Sequence, residues 1–197
     1  MSKLALFGGT PVIGEPLEPF NRIGEAERAA VLEVVESGVL SGYVGAPGPE
    51  FNGGPQVQNL EARWADRFAI KHAVAVNSAT SGLFAAMGAS GIGPGDEVIV
   101  PPYTFAATAN SVALTGATPV FADIEPRFFC LDPDAVRAAI TPRTAAIMPV
   151  HLYGHPANMT EIMAIAQDHG LMVFEDAAQA HAAMVDGVAV GSFGTFA

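Results

Sequence analysis

From about residue 72 onward, short apolar runs alternate with stretches whose apolar residues have helical spacing. The runs are flanked by Gly, Pro or Asp, as is typical of strands covered on both faces. The predicted strands are Ala73–Val76, Glu97–Val100, Pro119–Ala122, Ala145–Val150 and Leu171–Glu175. The helices predicted between them are Ser81–Ser90, Phe105–Thr115, Pro133–Ile140 and Met159–His169. This βαβ alternation predicts an α/β fold with a mostly parallel sheet and helices on both faces.

Local signals mark several element ends. Asn158 is placed to cap the start of the last predicted helix, and Gly170 is placed to end it. The segment Val185–Val188, with Asp-Gly at its centre, predicts a hairpin turn between two short strands. The glycines of Gly91–Asp96 resemble a dinucleotide-binding motif, but they precede a strand and include Pro94, which lacks an N–H donor. We therefore interpret this segment as a turn.

The first 70 residues have a different character. Residues 1–23 are rich in Gly and Pro and predict an extended arm. Glu25–Glu36 predicts a helix that Gly38 ends, and residues 38–55 predict a long irregular loop. A second helix is indicated by the spacing of Val57, Leu60, Trp64 and Phe68. We expect residues 1–70 to form an arm with helices and a loop, and residues 71–197 to form an incomplete α/β domain.

Composition narrows the class of protein. The 197 residues carry 9 Lys and Arg against 20 Asp and Glu, a net charge of −11, which argues against nucleic acid or an anionic membrane as a partner. Half of the residues are hydrophobic and 15% are charged, which excludes a disordered chain. The lone Cys130 excludes a disulfide framework and a zinc site built from several cysteines. With no signal-peptide pattern and no apolar run of about 20 residues, we expect a cytoplasmic protein.

Ligands of parallel sheets lie at the carboxyl ends of the strands, so the strand exits indicate the site. The exit Asn77–Gly82 carries small and hydroxyl residues into a helix start, a pattern that can bind an anion. Simple capping by Ser78 or Thr80 explains the same residues. At the exit Pro101–Phe105, Thr104 is a candidate cap, and Phe105 can either stack on a planar ring or pack in the core.

Two more exits carry histidines and carboxylates. His151 and His155 have the spacing of metal ligands on a helix, but Gly154 and Pro156 disfavour a helix, so no metal site is predicted. His151 stays a candidate neighbour of a substrate or cofactor. The buried strand ending at Glu175 leads directly to Asp176. Because carboxylates are rarely buried unpaired, Asp176 is predicted to hold a cation or a strong donor such as a protonated ring nitrogen. A capping role for Asp176 is the alternative.

Several stretches, taken in order, resemble a known family. They are NSATSGL, GIGPGDEVIVPPYTFAATANSV, GATPVFADIEP, LDP, ITPRTAAIMPVHLYGHPANM, EDAAQAHAA and GSFGTFA. Together they resemble the N-terminal half of a pyridoxal-phosphate (PLP) enzyme with the aspartate-aminotransferase fold, fold type I. More narrowly, they are similar to the sugar aminotransferases of the DegT/DnrJ/StrS type. The resemblance implies that residues 71–197 are part of the large PLP-binding domain, without the family's C-terminal small domain.

The resemblance also implies roles for single residues. Thr80 and Ser81 would bind the cofactor phosphate at the helix start, and Phe105 would stack on the pyridine ring. Asp176 would pair with the protonated pyridine nitrogen, and Gln179 would contact the ring hydroxyl. These roles agree with the attraction of a helix N-terminus for phosphate and with the need for a protonated ring as electron sink.

The family's Schiff-base lysine has no counterpart among these residues. Lys3 lies in the arm, and Lys71 precedes the first predicted strand, at the wrong end for the site. The resemblance places the lysine roughly ten residues beyond Ala197. We therefore expect the native polypeptide to continue beyond this sequence.

The function implied is a PLP-dependent aminotransferase that converts a keto sugar, in nucleotide-linked form, to an amino sugar with a donor such as glutamate. A homodimer with active sites at its interface is implied as well, and the loop 38–55 is either a segment that reaches substrate or partner or a mobile surface loop. The alternatives are an aminotransferase for a cyclitol or other cyclic ketone, a PLP-dependent sugar dehydratase with histidine in place of the lysine, and a non-catalytic truncated homologue. The residue at the lysine position separates these alternatives.

Overall fold

The computed structural model describes residues 3–15, 22–40, 42–43, 45–48 and 51–197. Parts of the predicted arm (1–2 and 16–21) and of the predicted loop (41, 44 and 49–50) lie outside the described residues. Contacts group the chain into two compact units, Met1–Gly54 and Pro55–Ala197. The domain boundary expected near residue 70 stays a prediction, because compactness alone does not define an independently folding domain.

The first unit contains a 3-10 turn, Ala5–Phe7, and helix α1, Glu25–Glu36. Helix α1 has the predicted bounds. At its start the backbone N–H of Gly24 donates to the Glu27 carboxylate at 2.7 Å. Just past its end Gly38 adopts φ +70°, a left-handed conformation that glycine reaches without a steric penalty.

The second unit is an α/β layer structure. Its helices are α2 Pro55–Phe68, α3 Ala79–Ala89, α4 Ala107–Leu114, α5 Pro133–Ala139 and α6 Met159–His169, with a 3-10 turn at Leu152–Gly154. Its strands are β1 Glu97–Val100, β2 Thr118–Phe121, β3 Thr144–Ile147, β4 Met172–Val173, β5 Met184–Val185 and β6 Val188–Ala189. Strands β1 to β4 form a parallel sheet in the order β2-β1-β3-β4, and β5 and β6 form the predicted hairpin. None of the helices in the described part of the chain has the length and hydropathy needed to cross a bilayer.

Alternate strand residues pack on opposite faces of the sheet, as the pleat requires. Val98 and Val100 of β1 join a core cluster with Leu83 of α3 and Val112 of α4. The residue between them, Ile99, joins a second cluster built from the following elements, with members Val136, Ile147, Ile162, Ile165 and Val173. Helices therefore cover both faces, which confirms the predicted α/β architecture.

The first predicted strand is wrong. Residues Ala73–Val76 form no strand in the structure, and Val74 is 80% exposed. The backbone N–H of Ala75 donates to the Glu61 side chain at 2.7 Å rather than to a neighbouring strand. An apolar run becomes a strand only where a partner strand satisfies its backbone groups, and no strand of the described residues lies beside this one.

The remaining strands agree with the prediction: β1 has its predicted bounds, and β2, β3 and β4 end before the predicted carboxyl-terminal residues. Single β-bridges continue the pairing there, from Val150 to Asp176 and from Phe174 to Phe196. The end of β4 therefore lies between the segment that follows β3 on one side and residues 195–196 on the other. Glu175 and Asp176 therefore lie at the carboxyl edge of the sheet, between these two neighbouring segments.

Helix α6 has its predicted bounds, and its start depends on one side chain. The Asn158 Oδ1 atom accepts a hydrogen bond from the Glu161 backbone N–H at 3.3 Å, as predicted. We expect Asn158→Ala to lower the local unfolding free energy of α6 by about 1 kcal/mol, because an orphan N–H loses its acceptor. Amide exchange within α6 measures this, with exposed Gln167→Ala as the matched control. Equal protection in both variants would contradict the capping role.

Candidate active site

The candidate site lies at the carboxyl edge of the parallel sheet. Helix α3 ends close to the start of β1, so it runs antiparallel to that strand and its N-terminus returns to the carboxyl edge. Gly82 and Leu83 near the start of α3 line the same small cavity as Phe174 and Glu175 at the end of β4. The helix start and the acidic strand end are therefore neighbours.

The start of α3 has the features of an anion site. Ser78 is the N-cap residue, and its hydroxyl accepts from the Ser81 backbone N–H at 3.1 Å. Ala79 and Thr80 supply the first N–H groups of the helix, which have no carbonyl partner within it. No acidic residue occupies the first turn. Thr80 and Ser81 are partly buried, so their hydroxyl groups stand beside the positive end of the helix.

Asp176 is the charged group at the end of β4. Its side chain is 8% exposed, and its Oδ2 atom accepts from the Thr108 hydroxyl at 3.0 Å. Its Oδ1 atom accepts from the Ala178 backbone N–H at 3.3 Å. Two hydrogen bonds therefore fix the orientation of the Asp176 carboxylate. Sequence reasoning missed Thr108, although its place four residues after the strand exit residue Thr104 indicated the first turn of a helix at the site.

Phe105 is 72% exposed, so of its two alternatives core packing is wrong. It precedes α4, where its carbonyl oxygen accepts from the Thr108 backbone N–H at 3.2 Å. Thr104 does not cap the helix, because Ala106 holds the N-cap position and the Thr104 hydroxyl lies 3.3 Å from the Thr108 hydroxyl. Phe105 and Thr108, which contacts Asp176, thus belong to one turn.

Gln179 is exposed and held by the segment after β3. Its Oε1 atom accepts from the Tyr153 backbone N–H at 2.7 Å. This contact orients the amide, so its NH2 group is the part that it can offer to a ligand. The Tyr153 hydroxyl lies 3.1 Å from the Tyr103 hydroxyl, and this hydrogen bond raises the pKa of Tyr153.

His151 does not reach a ligand surface. Its side chain is fully buried, with Nε2 3.1 Å from the Glu175 carboxylate and Nδ1 accepting from the Ala157 N–H at 3.0 Å. Burial alone would raise the pKa of Glu175. The hydrogen bonds from His151 and from the N–H groups of Gly194 and Gly191 outweigh it, so the pKa of Glu175 is lowered.

No group of three or more His, Cys, Asp or Glu side chains in the described part of the chain converges on one point. Cys130 is buried, and burial raises the pKa of its thiol. The site at the sheet edge combines a helix start, a buried carboxylate, an exposed aromatic ring and an amide. The fold and these strand ends define an α/β protein with a polar site at the carboxyl edge of its parallel sheet.

Comparison with known proteins assigns the family. Residues 22–197 match the DegT/DnrJ/EryC1/StrS aminotransferase family, and the chain belongs to that family. It is 55% identical over 141 residues to the UDP-N-acetyl-3-dehydro-alpha-D-glucosamine 3-aminotransferase of Acidithiobacillus ferrooxidans, covering 72% of this chain and 38% of the relative. It is 44% identical over 200 residues to the L-glutamine:2-deoxy-scyllo-inosose aminotransferase of Streptomyces kanamyceticus, covering 98% and 44%.

A solved structure agrees with this assignment. The crystal structure of NtdA from Bacillus subtilis with bound cofactor PMP superimposes with a TM-score of 0.72 at 35% identity, covering 84% of this chain and 36% of that one. These matches confirm the fold that the resemblance implied. The chain spans about two fifths of the length of the curated relatives it matches.

Proposed function

We propose that this chain is part of a PLP-dependent aminotransferase that converts a keto sugar, in nucleotide-linked form, to an amino sugar with an amino acid donor such as glutamate. The observation that carries the proposal is the buried carboxylate of Asp176, which accepts hydrogen bonds from the Thr108 hydroxyl and the Ala178 backbone N–H at the end of β4. A buried anion at a strand end needs a cationic partner, and a protonated pyridine nitrogen is one.

The side chains of the sheet edge suit the separate parts of PLP. The start of α3, with Thr80 and Ser81, suits a phosphate because its N–H groups and dipole favour an anion. Phe105 offers an exposed aromatic face for the ring. The NH2 group of Gln179 is a donor for the ring hydroxyl oxygen, since its Oε1 is already engaged by Tyr153. Asp176 suits the ring nitrogen.

PLP, when bound, supplies an electron sink for transfer of the amino group. The chain's own residues prepare that chemistry. Asp176 would hold a proton on the ring nitrogen, and Thr108 would keep the Asp176 carboxylate oriented toward it. The start of α3 would bind the phosphate and so fix the orientation of the ring. The Schiff-base lysine would lie on a segment beyond Ala197, and the homodimer and the cytoplasmic location stay predictions.

The substrate class is proposed from the relatives. One relative is named for a UDP-linked keto sugar and another for a cyclitol ketone, 2-deoxy-scyllo-inosose. A nucleotide-linked keto sugar is the first choice because identity to the former is higher, 55% against 44%. The cyclitol is the second candidate because that alignment covers 98% of this chain.

The test uses the full-length protein loaded with PLP. It is incubated with glutamate and either a UDP-linked 3-keto sugar or 2-deoxy-scyllo-inosose, and products are followed by mass spectrometry. We expect the keto sugar to gain an amino group while glutamate becomes 2-oxoglutarate. Amination of the cyclitol alone would favour the second candidate, loss of water from the sugar would favour a dehydratase, and no reaction with either would contradict the proposal.

Substitution of Thr108 tests whether its hydrogen bond to Asp176 contributes to cofactor binding. Thr108→Val keeps the shape of the side chain but removes the donor to the carboxylate, and a hydrogen bond to a charged group contributes about 1.5–3 kcal/mol. We expect the Kd for PLP to rise about tenfold or more. Thr108→Ser, which retains the hydroxyl, is the matched control. Fluorescence titration of the apoprotein with PLP measures both, and equal Kd values for valine and serine would contradict the role.

A further inference from the structure

Glu175 is a fully buried carboxylate that the proposed chemistry does not use. It is 1% exposed, and each of its oxygens is saturated with donors. Oε1 accepts from the backbone N–H groups of Phe193 at 2.8 Å and Gly194 at 2.7 Å. Oε2 accepts from the Gly191 N–H at 2.8 Å and lies 3.1 Å from Nε2 of His151. One side chain therefore binds two separate segments of the chain.

The main chain around Glu175 is bound on the same two sides. The N–H of Glu175 donates to the carbonyl of Phe196 at 2.9 Å. On the other side, Asp176 exchanges hydrogen bonds with the segment after β3, donating to Pro149 at 2.9 Å and accepting from the N–H of His151 at 3.0 Å. The Glu175 carboxylate thus joins the segment 191–196 to the strand end that carries Asp176.

We propose that Glu175 is a positioning residue: its carboxylate sets the register of residues 191–196 beside β4 and thereby the placement of the downstream lysine relative to Asp176. The inference rests on the proposed function, which places the lysine on the chain that follows this segment. Glu175 acts through the backbone and touches neither cofactor nor substrate. The side chains of neighbouring residues 175 and 176 would then divide two tasks, one holding the segment and the other holding the ring nitrogen.

Only a carboxylate satisfies all the donors at this position. A glutamine has one acceptor oxygen and one NH2 group. If its oxygen replaces Oε1, its NH2 group faces the N–H of Gly191 and the Nε2–H of His151. If the amide is turned over, its NH2 group faces the N–H groups of Phe193 and Gly194. Two donors are left unsatisfied in either orientation, so Glu175→Gln releases one end of the segment.

The tautomer of His151 gives the experiment its internal comparison. Nδ1 accepts from the Ala157 N–H, so the hydrogen-bond network assigns the ring proton to Nε2, which donates to Glu175. In His151→Gln the side-chain NH2 group can take the place of Nε2–H. That variant disturbs the same buried cluster but keeps the carboxylate and its bonds to Gly191, Phe193 and Gly194.

The pH dependence has a definite sign. Burial works against the charged form of Glu175, but the bonds from His151, Gly194 and Gly191 prevail, and the pKa is lowered in the folded protein. The ionised Glu175 carboxylate therefore stabilises the folded protein fully above the ordinary glutamate pKa of about 4.3. This stabilisation is lost as the pH falls through the lower pKa that Glu175 has in the folded protein. Protection of the segment 191–194 should stay constant from neutral pH down to that region.

The experiment uses the full-length holoenzyme with PLP and compares Glu175→Gln, His151→Gln and the exposed control Glu33→Gln. In Glu175→Gln we expect amide exchange of residues 191–194 to accelerate at least about tenfold. We also expect kcat per bound PLP to fall about tenfold, while KM for both substrates stays within about twofold of wild type. The pH midpoint of the bound-cofactor absorbance should move by about half a unit. In His151→Gln only the Ala157 amide should lose protection, and Glu33→Gln should match wild type.

Defined results would overturn the inference. Equal changes in cofactor absorbance and kcat for Glu175→Gln and His151→Gln would show general loosening of the cluster and no positioning. Unchanged amide exchange of residues 191–194 in Glu175→Gln would also overturn the inference. If Glu175→Gln does not fold, amide exchange of the wild-type protein decides. Fast exchange of the Gly191, Phe193 and Gly194 amides contradicts the inference. Slow exchange of these amides, together with an unchanged cofactor absorbance in His151→Gln, supports it. If wild type binds no PLP, the proposed function fails, while the exchange measurements still report on the segment.

Discussion

Asp176→Asn in the full-length protein is expected to lower kcat for amino transfer by about 10²- to 10³-fold, the scale of losing one electrostatic contact to charge that develops during reaction. The asparagine keeps the size of the side chain and can keep the Thr108 contact, but it cannot hold a proton on the ring nitrogen. The Asp176 carboxylate is 8% exposed, so bulk water cannot replace it. Steady-state kinetics with saturating PLP and both substrates measure the effect.

The matched control for this prediction is Asp168→Asn, an exposed carboxylate on α6. It changes the net charge by the same amount and should leave kcat within about twofold of wild type, as is usual for a surface substitution. A rate for Asp176→Asn equal to that control would remove the basis of the proposed site. A loss of rate that appears only below saturating PLP would assign Asp176 a role in cofactor affinity alone.

Phe174→Ala is expected to give the largest loss of stability, about 3–5 kcal/mol in the second unit. The ring is 1% exposed and stacks on Phe196 with ring centroids 5.3 Å apart. It belongs to the core cluster that joins α3 and α4 to the sheet. Removing it leaves a cavity next to Glu175 and Asp176, so the site should loosen as well.

Exchange-detected unfolding of peptides from β3 and β4 measures the stability of this unit within the full-length protein. The control is Phe121→Ala on the edge strand β2. The Phe121 ring is 58% exposed, so this substitution should lower the free energy of unfolding by about 1 kcal/mol or less. Similar losses for Phe174 and Phe121 would mean that the packing between α3 and β4 does not carry the stability of the unit.

Local patterns predicted the elements whose structure depends on nearby residues. Helix α6 begins and ends where Asn158 and Gly170 indicate, because a cap and a left-handed glycine act within one turn. The hairpin β5–β6 follows from Asp186 and Gly187, which both adopt positive φ. The position of Asp176 at a strand end was predictable for the same reason, since one buried run leads directly to it.

Features that depend on distant parts of the chain were not predictable. The run Ala73–Val76 has strand composition but no strand partner among the described residues, which only the three-dimensional arrangement shows. Thr108 contacts Asp176 across 68 positions of sequence, and His151 contacts Glu175 across 24. The exposure of Phe105 also depends on where the turn before α4 leaves the core. No periodicity or spacing in a single sequence contains such contacts.

We propose that this chain belongs to an enzyme that holds PLP at the carboxyl edge of the sheet. The most direct measurement is an absorbance scan of the purified full-length protein before and after borohydride, followed by peptide mapping. We expect a cofactor band that reduction shifts, with the reduced cofactor on a lysine beyond residue 197 and none on Lys3 or Lys71. A protein without a cofactor band after incubation with PLP, or one labelled at Lys71, would contradict it.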